Sequence, residues 1–262
     1  MQSGYWQDRT TADFRHVDPE ATVTLLPVAA VEQHGPHLPL STDAVINAGL
    51  IRAALPLIAT KTTLLVLPAL DVGLSPEHAS FPGTLTIADS ALADAWTDVG
   101  RSVARTGVRK LVILNTHGGQ KALVDLVAMR LRAELDMLVA RATYFAFGSP
   151  PGLFAATERA HDIHGGEVET SLMLHLRPEL VRRAEIADFR GLPQELAARN
   201  HVLGAEKPVG IGWRAEDLHA SGACGNAAHA DAAKGAKHLA YLADRLATLV
   251  AELAATPLAT LK

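Results

Sequence analysis

Four short apolar runs alternate with longer amphipathic segments, and this alternation limits the fold more than any other feature of the chain. The runs are Thr22–Val28, Thr63–Leu67, Lys110–Leu114 and a fourth within residues 137–147. Strands that are apolar on both faces are typical of parallel sheets covered by helices on both sides. The sequence therefore predicts an α/β fold, a three-layer α/β/α sandwich with a mostly parallel sheet.

The segments between and after these runs carry apolar residues at helical spacing. This spacing predicts helices over residues 43–58, 90–106, 121–135, 167–176 and 228–253, with Pro178 ending the fourth. Residues 188–226 show no periodic pattern. No repeat or linker divides the chain, so we expect one domain over residues 1–262.

Composition limits the classes of partner. The chain is 48% hydrophobic and 20% charged, and its net charge of −4 comes from acidic and basic residues that are mixed along the sequence. No basic run could track phosphates, so we expect no nucleic acid partner. We also expect no membrane span and no export signal. A single cysteine, Cys224, fits a reducing compartment, and the predicted location is cytoplasmic.

Metal-ligating residue types follow three of the predicted strands. They occur in the segments 32–43, 115–119 and 164–169. In open parallel sheets, ligands bind beyond the carboxyl ends of the strands. Imidazole and carboxylate groups suit zinc, manganese or iron, and the two oxygens of Asp43 could bridge two cations. The three carboxylates Glu32, Asp43 and Glu167 would supply three negative charges to two divalent ions. A hydroxide would cancel the one positive charge that remains.

Four motifs in these regions resemble those of the creatininase-like amidohydrolases. They are Glu32-x-His34-Gly35-x-His37-Leu38-Pro39-x-x-Thr42-Asp43, Gly73-x-Ser75-x-Glu77-His78-x-x-Phe81-Pro82-Gly83-Thr84, Asn115-x-His117-Gly118-Gly119 and His164-x-Gly166-Glu167-x-Glu169-Thr170-Ser171. They occur in the order found in that family. The resemblance implies hydrolysis of a C–N bond in a small amide substrate, and a homo-oligomer that is often a hexamer.

The resemblance also implies roles for individual residues at a centre of two divalent ions, with zinc favoured and manganese or iron as alternatives. Glu32 and His117 would hold one ion, His34 and Glu167 the other, and Asp43 would bridge them. His164 would be the catalytic proton shuttle. Glu169 would act with His164 as a catalytic residue. It is also the fallback metal ligand if Glu167 does not bind.

Two departures from the family pattern affect the expected substrate. Creatininases proper have a metal-ligating glutamate where this chain has Gly119, and this chain has Gln120 where asparagine is usual. The tryptophans Trp6, Trp96 and Trp213 also do not fall where creatininases place them over the substrate. Creatinine is therefore not the first expectation, and relatives that act as peptidases or formamide hydrolases offer alternatives.

Several residues in and near these motifs have simpler interpretations than metal binding or catalysis. For His37, Glu77 and His78 we expect structural roles rather than direct metal binding. Cys224 lacks the surroundings of a nucleophile, and residues 73–77 fail the G-x-S-x-G pattern of serine hydrolases. The glycines after the third strand lack the spacing of a nucleotide-binding loop. A creatininase proper, or an inactive metal-stabilised binding or assembly subunit, remains as an alternative function.

Overall fold

The computed structural model describes residues 1–260, and its central feature is a parallel sheet of five strands. The order across the sheet is β1-β3-β2-β4-β5. The strands are β1 (Gly4–Tyr5), β2 (Thr22–Val28), β3 (Thr63–Val66), β4 (Lys110–Asn115) and β5 (Leu138–Thr143). The four apolar runs are thus strands, as predicted. The fifth strand, β1, is an edge pair of two residues, too short to show a pattern in the sequence.

Helices cover the sheet and also form part of the segment that could not be interpreted from the sequence. They are α1 (Thr42–Ala54), α2 (Asp89–Arg105), α3 (Lys121–Leu135), α4 (Ala156–Arg159), α5 (Glu167–Leu176), α6 (Leu192–Arg199), α7 (Ala215–Leu218) and α8 (Ala232–Ala255). Of the part of the chain described here, no helix is both long and apolar enough to cross a lipid bilayer.

Alternate residues of each strand belong to different hydrophobic clusters, one on each face of the sheet. Val23 and Leu25 of β2 pack in the cluster that contains residues of α1, α5 and α8. Leu26 and Val28 pack in a second cluster with residues of α2 and α3. This division follows from the two-residue period of a strand. The result is three layers, so the predicted α/β/α sandwich is confirmed.

The strand order places a topological switch point at β2. After β2 the chain forms β3 on one side, and it then crosses to form β4 on the other side of β2. The loops that leave β2 and β4 therefore diverge, and ligands of open α/β sheets bind in the crevice that this divergence creates. Two of the three segments rich in potential ligands start at this crevice.

Helices α5 and α8 approach each other unusually closely. A Cβ atom at Gly235 of α8 would lie 2.6 Å from the backbone carbon of Ser171 in α5, and closer still to its oxygen. The backbone N–H of Asp231 donates to the Ser171 hydroxyl, and the Asp231 carboxylate caps α8 by accepting from the backbone of Ala233 and Lys234. The first turn of α8 is therefore held directly against α5.

The segment 188–226 forms a small unit beside the main sheet. Its ends pair as two short antiparallel strands, β6 (Asp188–Phe189) and β7 (Gly225–Asn226). It has hydrophobic clusters of its own, one around Phe189 and another that includes Leu218 and Cys224. These contacts join residues far apart in the sequence, which explains why the segment shows no periodic pattern.

Candidate metal centre

Four of the five predicted metal ligands meet at the switch point as buried side chains. Glu32 and His34 lie in the loop after β2, Asp43 in the first turn of α1, and His117 directly after β4. The fifth, Glu167, lies apart from them.

Hydrogen bonds between α1 and the strands fix the position of Asp43. The Asn47 amide donates to the backbone carbonyls of Val28 and Leu114, and the Thr116 hydroxyl donates to the backbone carbonyl of Asp43. The start of α1 is thereby tied to the ends of β2 and β4.

The Asp43 carboxylate lies between two histidines. Its Oδ1 is 3.4 Å from His34 Nε2, and its Oδ2 is 3.6 Å from His117 Nδ1. Glu32 Oε1 is 3.0 Å from the same His117 nitrogen. Each oxygen of Asp43 therefore faces a different imidazole, which is the arrangement that a carboxylate bridging two cations requires.

Backbone carbonyls determine which nitrogen of each histidine is available. His34 Nδ1 lies 3.0 Å from the carbonyl of Glu32, and His117 Nε2 lies 2.9 Å from the carbonyl of Leu74. A carbonyl only accepts, so these nitrogens carry a hydrogen, and in the neutral rings that a metal would bind the opposite nitrogens present lone pairs toward Asp43. This is the usual way in which proteins orient a metal-binding histidine.

The polar atoms facing this space lack partners. Both carboxylate oxygens of Glu32, Nε2 of His34 and Oδ2 of Asp43 are buried without a hydrogen bond within residues 1–260. Buried polar atoms are nearly always satisfied, because desolvation without a partner is costly. Cations between these groups would satisfy them, so the residues present fit metal ions.

The predicted ligand Glu167 points elsewhere. Its carboxylate forms an ion pair with Nζ of Lys234, at the start of α8. Glu169 instead lies in the centre, where its Oε2 is 3.9 Å from His34 Nε2 and accepts from the backbone N–H of Gly165. Residues two apart on a helix point about 200° apart, so the two carboxylates cannot share one site. The structure thus brings Glu169, the fallback ligand of the sequence analysis, close to the other predicted ligands and places Glu167 apart from them.

Three overlapping groups of side chains have atoms close enough to hold a cation. Within each group, one ligand atom per residue lies within 4.8 Å of the others. The groups are His34, Asp43 and Glu169; Glu32, Glu77 and His117; and Glu32, His34 and His164. The first two correspond to a site on either side of the centre. The second contains Glu77, for which a structural role was predicted from the sequence.

The predicted proton shuttle, His164, lies beside these groups. Its Nδ1 is 3.8 Å from Glu32 Oε1, and its Nε2 donates to the backbone carbonyl of Gln33. The ring packs between the rings of His34 and His78, with centroids 4.1 Å and 4.3 Å away. Burial, and next the nearby His34, lower the pKa of His164 well below its usual value. The ring is therefore neutral, with Nδ1 available to accept a proton.

Charge in the centre is balanced by protons when no cation is bound. Burial raises the pKa of Asp43 to about 7, although His34 opposes this shift. Burial disfavours the charged form of His34, but Asp43 and Glu169 outweigh this and raise its pKa to about 9. Burial likewise opposes the ionisation of Glu32, yet His117 lowers its pKa to about 2. Metal binding would release the protons that the histidines carry here.

A cavity of about 590 Å³ leads to the centre. Its walls are Pro76, Glu77, Gly119, Ile211, Gly212, Trp213, Arg214 and Asp217. The ring of Trp213 lies 6.4 Å from that of His78, nearly perpendicular to it. Trp213 therefore lies near the site, although its position in the sequence does not match that of the creatininase tryptophans. Because this residue comes from the segment 188–226, no motif in the sequence indicated its position.

Comparison with known proteins gives consistent results. The family model described as "Creatininase: Creatinine amidohydrolase" matches residues 7–250. The chain is 34% identical over 195 residues to the mycofactocin precursor peptide peptidase of Mycobacterium ulcerans strain Agy99, an alignment covering 71% of this chain and 72% of that protein. It is 32% identical over 182 residues to the creatinine amidohydrolase of Pseudomonas putida, covering 63% of this chain and 68% of that protein.

Solved structures agree over nearly the whole chain. A protein from Bacteroides fragilis NCTC 9343, provisionally described as a creatinine amidohydrolase, has a TM-score of 0.77 and 28% identity, with 98% of each chain covered. A mutant creatininase described as "Zn-Zn type" has a TM-score of 0.77 and 25% identity, covering 98% of this chain and 100% of that one.

Proposed function

Because the chain belongs to the creatininase family of amidohydrolases, we propose that it hydrolyses a C–N amide bond with a water activated at a dinuclear metal centre. The observation that carries the proposal is the position of Asp43. Its two oxygens lie 3.4 Å and 3.6 Å from nitrogens of two different histidines. This divided arrangement, with one oxygen toward each histidine, is the one that a carboxylate bridging two cations needs.

The ligands divide into two sets around Asp43. Glu32 and His117 form one side, and His34 and Glu169 form the other. Two divalent ions held by these residues would lower the pKa of a bound water toward 7 and would polarise the substrate carbonyl. Zinc is the expected metal, since a related creatininase is described as the "Zn-Zn type", and manganese is the alternative.

The proposed role of His164 is to move the proton that this reaction requires. The water oxygen adds to the carbonyl carbon, and the proton it loses passes to Nδ1 of the neutral His164 ring. As the C–N bond breaks, the same proton passes from His164 to the leaving nitrogen. The hydrogen bond from Nε2 to the carbonyl of Gln33 keeps the ring in the tautomer that this transfer needs.

The lining of the cavity and one group of relatives support a peptide-like substrate rather than creatinine. Ile211 and Trp213 offer apolar walls and Arg214 a cation, all beyond the centre. A relative with one-third identity is named for its action on a peptide. We therefore propose an amide with peptide-like groups on at least one side of the cleaved bond. The single domain, the hexamer and the cytoplasmic location stay predictions of the sequence.

The first test is metal content, measured by elemental analysis of protein purified without chelator. We expect about two ions per protomer. Asp43→Ala should lose them, whereas Asp94→Ala, which removes an exposed carboxylate on α2, should retain them. A value near zero in all three proteins, even after addition of zinc or manganese, would refute the hydrolase mechanism and favour a binding or assembly subunit.

A further inference from the structure

The carboxylate of Glu77 and a side chain at position 119 would occupy the same space. A Cβ atom on Gly119 would lie 2.8 Å from Cδ of Glu77, closer still to its Oε1, and 2.7 Å from Nε2 of His117. Glycine is used where another group must approach the backbone this closely. The residue at 119 thus leaves room for Glu77 directly beside His117.

The Glu77 carboxylate lacks the partners of a structural residue. Its Oε1 is buried and has no hydrogen bond within the described residues. It lies 3.3 Å from His117 Nε2, but the hydrogen on this nitrogen is directed to the carbonyl of Leu74, at 2.9 Å. It also lies 3.9 Å from His78 Nε2, too far for a hydrogen bond. Glu77 therefore lies beside both histidines without a well-formed hydrogen bond to either.

Glu77 does approach the unpartnered groups on one side of the centre. One of its oxygens, one oxygen of Glu32 and one nitrogen of His117 all lie within 4.8 Å of one another. The Glu32 side chain is only 1% exposed, and both of its oxygens lack partners among residues 1–260. A cation among these three groups would satisfy all of them.

We propose that Glu77 is the additional carboxylate ligand on the Glu32–His117 side of the centre, and that Gly119 is required to make room for it. This inference rests on the proposed function, because it assumes a cation on that side. With Glu77 included, the four carboxylates balance the charge of two divalent ions. They are Glu32, Asp43, Glu77 and Glu169.

The test compares zinc binding in single and exchanged variants. Wild type, Glu77→Gln, Gly119→Glu, and the double variant Glu77→Ala with Gly119→Glu are titrated with zinc against a chromophoric chelator. Elemental analysis gives the stoichiometry, and circular dichroism checks folding. The matched control is Glu195→Gln, an exposed glutamate on α6.

We expect Glu77→Gln to retain one tightly bound zinc and to bind the second at least tenfold more weakly. Gly119→Glu alone should also weaken this ion, because its side chain meets Glu77. The double variant should recover part of this affinity, because the carboxylate then comes from position 119, while the His117 ring must still shift away from the new Cβ atom. The control should bind like the wild type.

The outcomes separate this inference from the proposed function. Two zinc ions bound with wild-type affinity by Glu77→Gln would overturn the role of Glu77 and leave the dinuclear centre intact. Fewer than two ions in the wild type would overturn both. If the double variant does not fold, the zinc affinity of Glu77→Gln alone decides whether Glu77 is a ligand. This variant preserves the shape of the side chain and removes only its charge.

Discussion

Replacing Lys234 with methionine separates the roles of the two carboxylates at the start of α5. Nζ of Lys234 pairs with Glu167 and donates to the backbone carbonyl of His229. The Glu167 side chain is 3% exposed and that of Lys234 is 30% exposed. Methionine keeps the length of the side chain but removes its charge, so Lys234→Met leaves a buried carboxylate without its partner.

The size of the effect follows from this burial. Removing one partner of a buried ion pair costs about 3–5 kcal/mol, because an uncompensated charge remains. Lys234 is partly accessible, and water would screen the remaining charge, so we expect a loss of about 2 kcal/mol. For a chain of this size, each kcal/mol lowers the melting temperature by about 2–4 °C. Lys234→Met should therefore melt about 4–8 °C below the wild type.

The assay is thermal unfolding followed by circular dichroism, on protein stripped of metal so that bound ions do not contribute. Combining Lys234→Met with Glu167→Gln removes both charges and should recover most of the lost stability. In separate samples loaded with zinc, Glu167→Gln should keep its metal, whereas Glu169→Gln should lose one ion. Loss of metal from Glu167→Gln, with none from Glu169→Gln, would refute the assignment of both carboxylates.

Four further measurements test other parts of the structure. His164→Gln should lower kcat by about 10²–10⁴-fold at unchanged metal content; loss of metal would make His164 a ligand. Trp213→Ala should raise KM several-fold with little change in kcat, and an unchanged KM would remove it from the substrate wall. Gly235→Ala should lower the free energy of unfolding by about 1–3 kcal/mol in a denaturant titration, since its Cβ would meet the backbone of Ser171. An unfolding midpoint equal to that of the wild type would contradict the close contact between the two helices. Burial raises the pKa of Asp162 to about 8, so the folded protein holds a proton that the unfolded chain releases above about pH 4. The free energy of unfolding should therefore fall from pH 5 to pH 8. Asp162→Asn should flatten this dependence, and stability curves that run parallel for the variant and the wild type would refute the role of Asp162.

The sequence predicted the main sheet well because its strands are buried on both faces. Such strands read as uninterrupted apolar runs, and Thr22–Val28 is one of them from end to end. Helices α3 and α5 also begin and end where their spacing predicts. The strand ends then located most of the centre, because strand direction alone brings the residues after β2 and β4 together.

The choice between Glu167 and Glu169 depended on a contact that the sequence does not show. Both residues are acidic and both fall within the same motif. Which one faces the centre is determined by the rotation of α5, and Lys234, 67 residues further along the chain, pairs with one side of that helix. Local spacing predicts that the two point apart, but it does not say which of them points inward.

Glu77 and Trp213 could not be placed for a related reason. Glu77 lies in a short 3₁₀ helix, Pro76–His78, and Trp213 in an irregular segment, so neither has a periodic pattern that fixes its direction. The sequence shows that Gly119 stands where creatininases have a metal-ligating glutamate. Only the folded chain shows which residue fills the space.

The segment 188–226 lines the cavity but packs largely within its own small hydrophobic clusters. Substitutions at Ile211 or Trp213 therefore change the wall of the cavity without moving β2 or β4, which carry the ligands. In evolutionary terms, a lineage can acquire a new substrate by altering this one segment while its reactive centre is preserved. Such a separation would let proteins of one family differ in substrate, and the relatives of this chain include both a peptide peptidase and a creatinine amidohydrolase.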